Sequence, residues 1–400
     1  MKAVYWLMLW KLHKKRSGDA KSKRLHSRYR KAFYRALSAE DQRRRQLRIN
    51  RPSLLPIARS PWRKALCSRD DQALITITGF DWESLKYIFA KFAPIFESHS
   101  PFLDRKIVPK HLNKGRKRLI RPEDGAGLVL MWTRTRGPLV VLQMIFGMTM
   151  TNFGMYLRFG RRIMVEVFRD DPLAKIHLPS GQKIKEYQKA IGERHSMLKD
   201  VWTTMDDVKL YLQKAGNDVI QEQYYNGWTH GHYVTSVFCF CPDGTIPIAF
   251  YNVPGSVHDS QVADWGDVYL KLESMFTKHG VKCTVDSAFG AKDREYLVKS
   301  GQDYLVSDAD TVRGRNKDIQ MKRQATAMRQ SAEWGMKLLQ CSFPRLKDRF
   351  IYEERGERRI MLKLMVLLFN MRAQMVGINQ IRNVYMPQLN RSANEYIETV

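Results

Sequence analysis

Cysteine is scarce in this chain. Five thiols occur in 400 residues, at Cys67, Cys239, Cys241, Cys283 and Cys341. The number is odd and no pair has the Cys-x-x-Cys spacing. That argues against a disulfide framework and a cysteine zinc site, and points to reduced intracellular thiols. Long apolar runs are missing too: none approaches the roughly 18 residues needed to span a bilayer. The opening Ala3 to Trp10 is apolar but short, and Lys11, Lys14, Lys15 and Arg16 follow it. A secretory signal carries its charge first and ends in small residues, so secretion is not expected. No internal repeat is present, and no low-complexity tract outside the basic first segment. Acids are the last shortage: 40 against 68 lysines and arginines, a formal net charge of +28.

What is present is a large core and a strong positive field. Hydrophobic residues make up 44% and aromatics 11%, too many for a disordered chain. At this length two or three domains are expected. The charge calls for an acidic partner. Nucleic acid is the first choice and an anionic membrane surface the alternative. Residues 1–66 hold 20 lysines and arginines against three acids, so 17 of the 28 excess charges lie there. Arg43, Arg44 and Arg45 form one cluster, and Lys14, Lys15 and Arg16 another. Such clusters serve as DNA-binding arms or nuclear import signals, or are simply a solvated, partly disordered tail.

The pattern then divides. Residues 67–180 read as all-helical. Asp81 is an N-cap candidate for a helix with Leu85, Ile88, Phe89 and Phe92 on one face. Helices over Leu128–Arg134, Leu139–Phe146 and about Asn152–Phe168 follow, the last two joined by a short turn at Gly147. That spacing fits a helix-turn-helix. Arg158, Arg161 and Arg162 share a face of the last helix and are candidate phosphate contacts, with a solvated basic face as the plain alternative. From residue 181 to 400 strands appear: Val201–Met205 continued by Val208–Leu212, Tyr233–Phe240 and Thr245–Asn252 as a hairpin, Val281–Val285, and Tyr304–Val306. Helices are expected over Asp259–Lys278, Met321–Leu339 and Arg359–Met375. This order predicts an α/β domain with a mixed sheet flanked by helices.

Three acids stand out within it. Asp206 and Asp286 each end a strand-like run, and Glu333 lies on a helix beside Met328, Ala332 and Met336. The intervals are 80 and 47 residues, so only a fold can bring them together. Acids converging inside a basic chain suit metal ions meeting phosphate. Alone, each has an ordinary reading: a turn or cap for the aspartates, an ion pair with Lys337 for Glu333.

The local sequences change that reading. They are Thr204-Met205-Asp206-Asp207, then Tyr225-Asn226-Gly227-Trp228-Thr229, then Pro254-Gly255-Ser256-Val257-His258-Asp259-Ser260. Asp286-Ser287-Ala288-Phe289 follows, then Arg329 four residues before Glu333, and Lys347-Asp348-Arg349-Phe350. From about Asp124 to Asn379 the chain resembles the PIF/Harbinger transposases. The resemblance implies a DDE nuclease domain of RNase H-like fold, with Asp206, Asp286 and Glu333 catalytic. It implies two Mg²⁺ or Mn²⁺ ions held by these three and Asp259. Asp259 as helix N-cap is the competing reading. The family places Gly where this chain has Asp207. Strand alternation points Asp206 and Asp207 to opposite faces, and the motif favours Asp206. His258 orients a carboxylate, contacts phosphate or is structural; His230 and His232 read as structural.

The expected function is a metal-dependent DNA transposase or endonuclease. The alternative is a domesticated, non-cleaving DNA-binding regulator on the same fold. RNA binding lacks its aromatic motif. The resemblance also implies a nuclear location and a Myb-like DNA-binding partner protein; transposition needs two DNA ends held together, so a homo-oligomer is expected, and the short apolar runs lead to no expected membrane partner. Asp293, Glu295, Asp308, Asp310 and Asp318 are the competing acids for the third position.

Overall fold

The computed structural model describes residues 49–101, 108–109, 118–213, 218–290, 294–299, 312–351 and 354–389. The clusters at Lys14–Arg16 and Arg43–Arg45, Asp293, Asp308, Asp310 and the Tyr304–Val306 strand lie outside them.

The first half is helical. Helices α1 (Pro61–Ser68), α2 (Asp71–Thr78) and α3 (Trp82–Ser98) start on side-chain caps from Ser60, Asp70 and Asp81. Asp81 accepts from the Ser84 N–H at 2.7 Å, as the sequence predicts. A two-stranded ladder, β1 (His99–Ser100) with β2 (Val108–Pro109), precedes α4 (Pro122–Arg134). In α4, Asp124 is buried and takes both ends of Arg63 at 2.5 Å. Helices α5 (Val140–Phe146) and α6 (Met150–Phe168) meet at 88°. Gly147 makes the corner with φ +63°, and a Cβ there would sit 2.3 Å from the Leu55 carbonyl oxygen, so only glycine fits.

After α7 (Gly181–Arg194) comes the sheet. Its strands are β3 (Val201–Tyr211), β4 (Tyr225–Asn226) after α8 (Asp218–Tyr224), β5 (Gly231–Phe240), β6 (Ile248–Pro254), β7 (Lys282–Val285) and β8 (Leu297–Lys299). β3 is central. It pairs antiparallel with β5 and parallel with β7. β5 also pairs antiparallel with β6 and with β4, and β8 lies parallel beside β7. The expected 259–278 helix is two, α9 (Asp259–Trp265) and α10 (Val268–His279), because the backbone turns left-handed at Asp267 with φ +53°. α11 (Val312–Ser342), α12 (Arg355–Met375) and α13 (Gln380–Tyr385) complete the chain.

Helices cover both faces of the sheet, and α11 and α7 both pack on β3. That explains why Val201 to Met205 are buried without alternation. One continuous apolar cluster runs from Trp62 to Met386. Polar contacts tie the two halves as well: Arg134 donates to Ser342 O at 2.9 Å, and Arg372 to Gly79 O at 3.1 Å. The stretch Arg355–Tyr385 is long and apolar enough to cross a membrane, contrary to the expectation that no run comes near, yet 67% of its most apolar window is buried inside the protein. Most of those residues form α12, the helix that joins the sheet to α6.

The three-arginine face needs correction. Arg161 is 8% exposed and lies 4.7 Å over the Trp132 ring. It pairs with Glu357 of α12 at 2.8 Å, and Arg162 pairs with the other carboxylate oxygen. Only Arg158 of the three is exposed. The i, i+3, i+4 spacing defines a face but does not say what covers it, and here α12 does.

Candidate active site

Strand register brings the first two acids together. Thr204 on β3 is the parallel partner of Thr284 on β7. Two residues further along each chain stand Asp206 and Asp286, so the register brings the acids to the same edge, where Asp206 feels the charge of Asp286. β7 stops at Val285, and the Asp286 carboxylate accepts from the Ser287 N–H at 2.6 Å as the chain turns away.

α11 brings the third acid. Its buried stripe of Met328, Ala332, Met336 and Leu339 faces the core. Arg329 and Glu333 stand beside that stripe, one turn apart. Arg329 reaches Glu333 at 2.5 Å and Asp206 at 3.8 Å, and so spans the two acids. The expected alternative for Glu333, an ion pair with Lys337, gives way to this one.

Alternation separates Asp206 from Asp207. Asp206 faces Arg329 and Glu333, and burial pushes its carboxyl up to about 6, aided by the charges of Asp286 and Glu333 and opposed by Arg329. Asp207 is pushed up to about 7, by burial first and then by Asp259, Asp206 and Asp286, with Lys209 opposing. Burial also raises Asp259, whose neighbours include Lys209, His258 and Asp286. Asp286 is thus felt by acids on both faces of β3. The Asp207–Asp259 pairing is what the sequence reading missed. The available signal was the i, i+2 placement of Asp207 and Lys209 on one strand face.

Asp259 is not the N-cap of α9. That position belongs to His258, whose ring nitrogen accepts from the Ser260 N–H at 3.3 Å. The Asp259 carboxylate is therefore left for the acid cluster. A depression of ≈ 390 Å³ opens alongside, lined by His258, Ser260, Gln261, Asp264 and Arg294. Among the competing acids, Asp318 pairs with Lys322 at 2.8 Å. His230 and His232 belong to the β4–β5 hairpin, where they meet Tyr225.

The donor set is all carboxylate oxygen, the hard chemistry that Mg²⁺ and Mn²⁺ select. Among the described residues, however, no three His, Cys, Asp or Glu side chains stand close enough to enclose one ion. The acids are electrostatic neighbours, with an arginine between two of them, and not a closed coordination shell.

Residues 205–370 match the family model described as DDE superfamily endonuclease. The match opens next to Asp206, includes Asp259, Asp286 and Glu333, and ends inside α12. It points to a transposase-type nuclease acting on DNA, and such endonucleases generally use divalent metals. No curated protein and no solved structure matches the chain.

The approach of α11 to the sheet is set by Gly335. A Cβ there would lie 2.6 Å from the Phe240 ring. Gly335→Ala should push the helix outward and carry Glu333 with it. We expect a stability loss of about 1–3 kcal/mol and a roughly 100-fold slower nicking rate, the cost of an ångström-scale misplacement. Wild-type nicking by a folded Gly335→Ala protein would show that Glu333 tolerates displacement and is not a fixed ligand.

Proposed function

We propose that this chain is a metal-dependent DNA transposase or transposase-derived endonuclease of the PIF/Harbinger type. The observation that carries the reading is the register that sets Asp206 beside Asp286, with Glu333 delivered from α11. The strand order supports an RNase H-like domain. Leaving aside the two-residue β4 and taking β3 as the first strand, the sheet runs third, second, first, fourth, fifth, with the first three antiparallel and the last two parallel.

On this reading Asp206, Asp286 and Glu333 would be the metal-holding acids, with Asp259 near Asp286 on the other face of β3, although among the described residues they do not form a closed shell; two Mg²⁺ or Mn²⁺ ions would supply an activated water or hydroxyl and offset charge on the leaving oxygen. The chain's own residues supply the rest. Arg329 holds Glu333 and Asp206 in place. The sheet and α11 bury Asp206, which strengthens its attraction for a cation. DNA is the substrate, and the basic residues 1–48 would add phosphate contacts. Deleting those residues should flatten the dependence of DNA affinity on salt, because fewer counterions are released. A nuclear location, a Myb-like partner and a homo-oligomer follow from the same reading.

One observation favours the alternative, a non-cleaving DNA-binding regulator: Arg329 already pairs with Glu333 and reaches Asp206. A nicking assay decides. Supercoiled plasmid is incubated with the wild type and with Asp286→Asn, in Mg²⁺, in Mn²⁺ and in EDTA. Metal-dependent nicking lost in Asp286→Asn supports the nuclease. Equal nicking by Asp286→Asn would sink the site assignment. DNA binding without nicking in either metal would establish the regulator.

A further inference from the structure

Trp228 stands at the tip of the β4–β5 hairpin and is 91% exposed, more than any other large apolar side chain among the described residues. Its loop is tied down. The Asn226 carboxamide oxygen accepts from the Trp228 N–H at 3.1 Å and the Thr229 N–H at 3.0 Å. The Asn226 amide donates to Gly255 O at 2.8 Å. His230 turns the backbone left-handed at φ +50°, and its ring lies 3.1 Å from the Tyr225 hydroxyl. The backbone is fixed while the indole is held out in water. Little conformational freedom remains to be lost on binding, which favours a contact residue.

Position gives that contact a direction. Gly255, to which Asn226 is bonded, opens the short loop that delivers His258 and Asp259. On β3, Asp207, Lys209 and Tyr211 follow one another on a single face. Lys209 lies 5.6 Å over the Tyr233 ring, and Tyr211 meets Tyr233 edge-on at 6.1 Å. Tyr211 is 54% exposed, and its ring would touch a Cβ at Gly231 of the hairpin at 3.4 Å. From Asp207 to Tyr211 is about 13 Å of strand, the length of about four stacked nucleotides. Acid, cation, exposed tyrosine and exposed indole thus follow in sequence away from the acid cluster. A cation for phosphate together with aromatic faces for bases is the recurrent makeup of single-strand tracks.

We propose that Trp228, together with Tyr211 at the base of the same hairpin, stacks on unpaired nucleobases of the DNA a few nucleotides from the cleaved phosphate. This rests on the nuclease reading and adds to it a positioning contact for an unstacked strand. The test measures binding by fluorescence anisotropy in EDTA, so that cleavage plays no part. A labelled 20-nucleotide single strand and the duplex of the same sequence are titrated with wild type, Trp228→Ala and Trp228→Phe. Trp228→Ala should bind the single strand about tenfold or more weakly. Trp228→Phe should stay within about threefold of wild type, and duplex affinity should hold. Because the side chain is exposed, all three proteins should melt at the same temperature. Unchanged single-strand affinity in Trp228→Ala overturns the proposal, as does an equal loss on duplex. A loss of self-association in sedimentation with DNA binding intact would assign Trp228 to a second copy instead. Failure here leaves the metal-dependent nicking of the wild type untouched. A chain that binds no DNA at all would overturn both readings.

Discussion

Asp206→Asn should abolish nicking and, at the same time, stabilise the metal-free protein above pH 7. The loss of activity should be roughly a thousandfold, equivalent to about 4 kcal/mol of transition-state stabilisation. The gain in stability follows from the electrostatics of the site. An unfolded aspartate titrates near 4, whereas burial and neighbouring charges hold Asp206 at about 6 and Asp207 at about 7. The folded state therefore binds these protons more tightly than the unfolded state. Their contribution to stability is full below about pH 4 and is lost as the pH rises through 6 and 7. At pH 8 both carboxylates are ionised in a buried site, at a cost on the order of 1–3 kcal/mol each. Asparagine removes that cost at one position. Urea denaturation in EDTA should give Asp206→Asn the higher midpoint at pH 8, and the difference should shrink at pH 4.5. Adding Mg²⁺ at pH 8 should raise the wild-type midpoint and leave Asp206→Asn unmoved. A variant less stable than wild type at pH 8 would mean that Asp206 is chiefly an anchor for Arg329 and α11.

The second large effect is structural. Glu357→Ala should cost roughly 3–5 kcal/mol, because it strands a buried guanidinium. Arg161 and Arg162 share that carboxylate, and the Arg161 Nε has no partner of its own. Burial already pulls the Arg161 pKa down against the pull of Glu357, and Glu354 is only a weaker second acid for that charge. Denaturation midpoints should fall sharply in Glu357→Ala, while Arg158→Ala should stay within about 0.5 kcal/mol of wild type. If Arg161→Ala weakened DNA binding without loss of stability, the guanidinium would be a phosphate contact after all.

The two effects mark where a linear reading succeeds and where it stops. The Asp81 cap, the turn at Gly147, and the strands around Asp206 and Asp286 are local. They follow from side chains bonding their own backbone and from alternation along a strand. For the same reason the packed apolar stripe beside Glu333 is visible in one helix. The basic arginine triplet shows the opposite. Its spacing is local, but its partner lies 196 residues away on α12, and no local pattern reveals such a partner.

By itself, the sequence determined most of the elements around the acids, the excess of positive charge and the acids with their motifs, because each depends on residues within a few turns or one strand. Tertiary structure decided everything that depends on which elements touch. The parallel register of β3 and β7 brought Asp206 and Asp286 to the same edge. α11 placed Arg329 between two acids, and alternation on a covered strand sent Asp207 to Asp259. α12 turned a candidate DNA face into a buried ion pair. Long-range contacts are set by the packing of the whole core, where one buried charge must find its counter-charge wherever the fold supplies it.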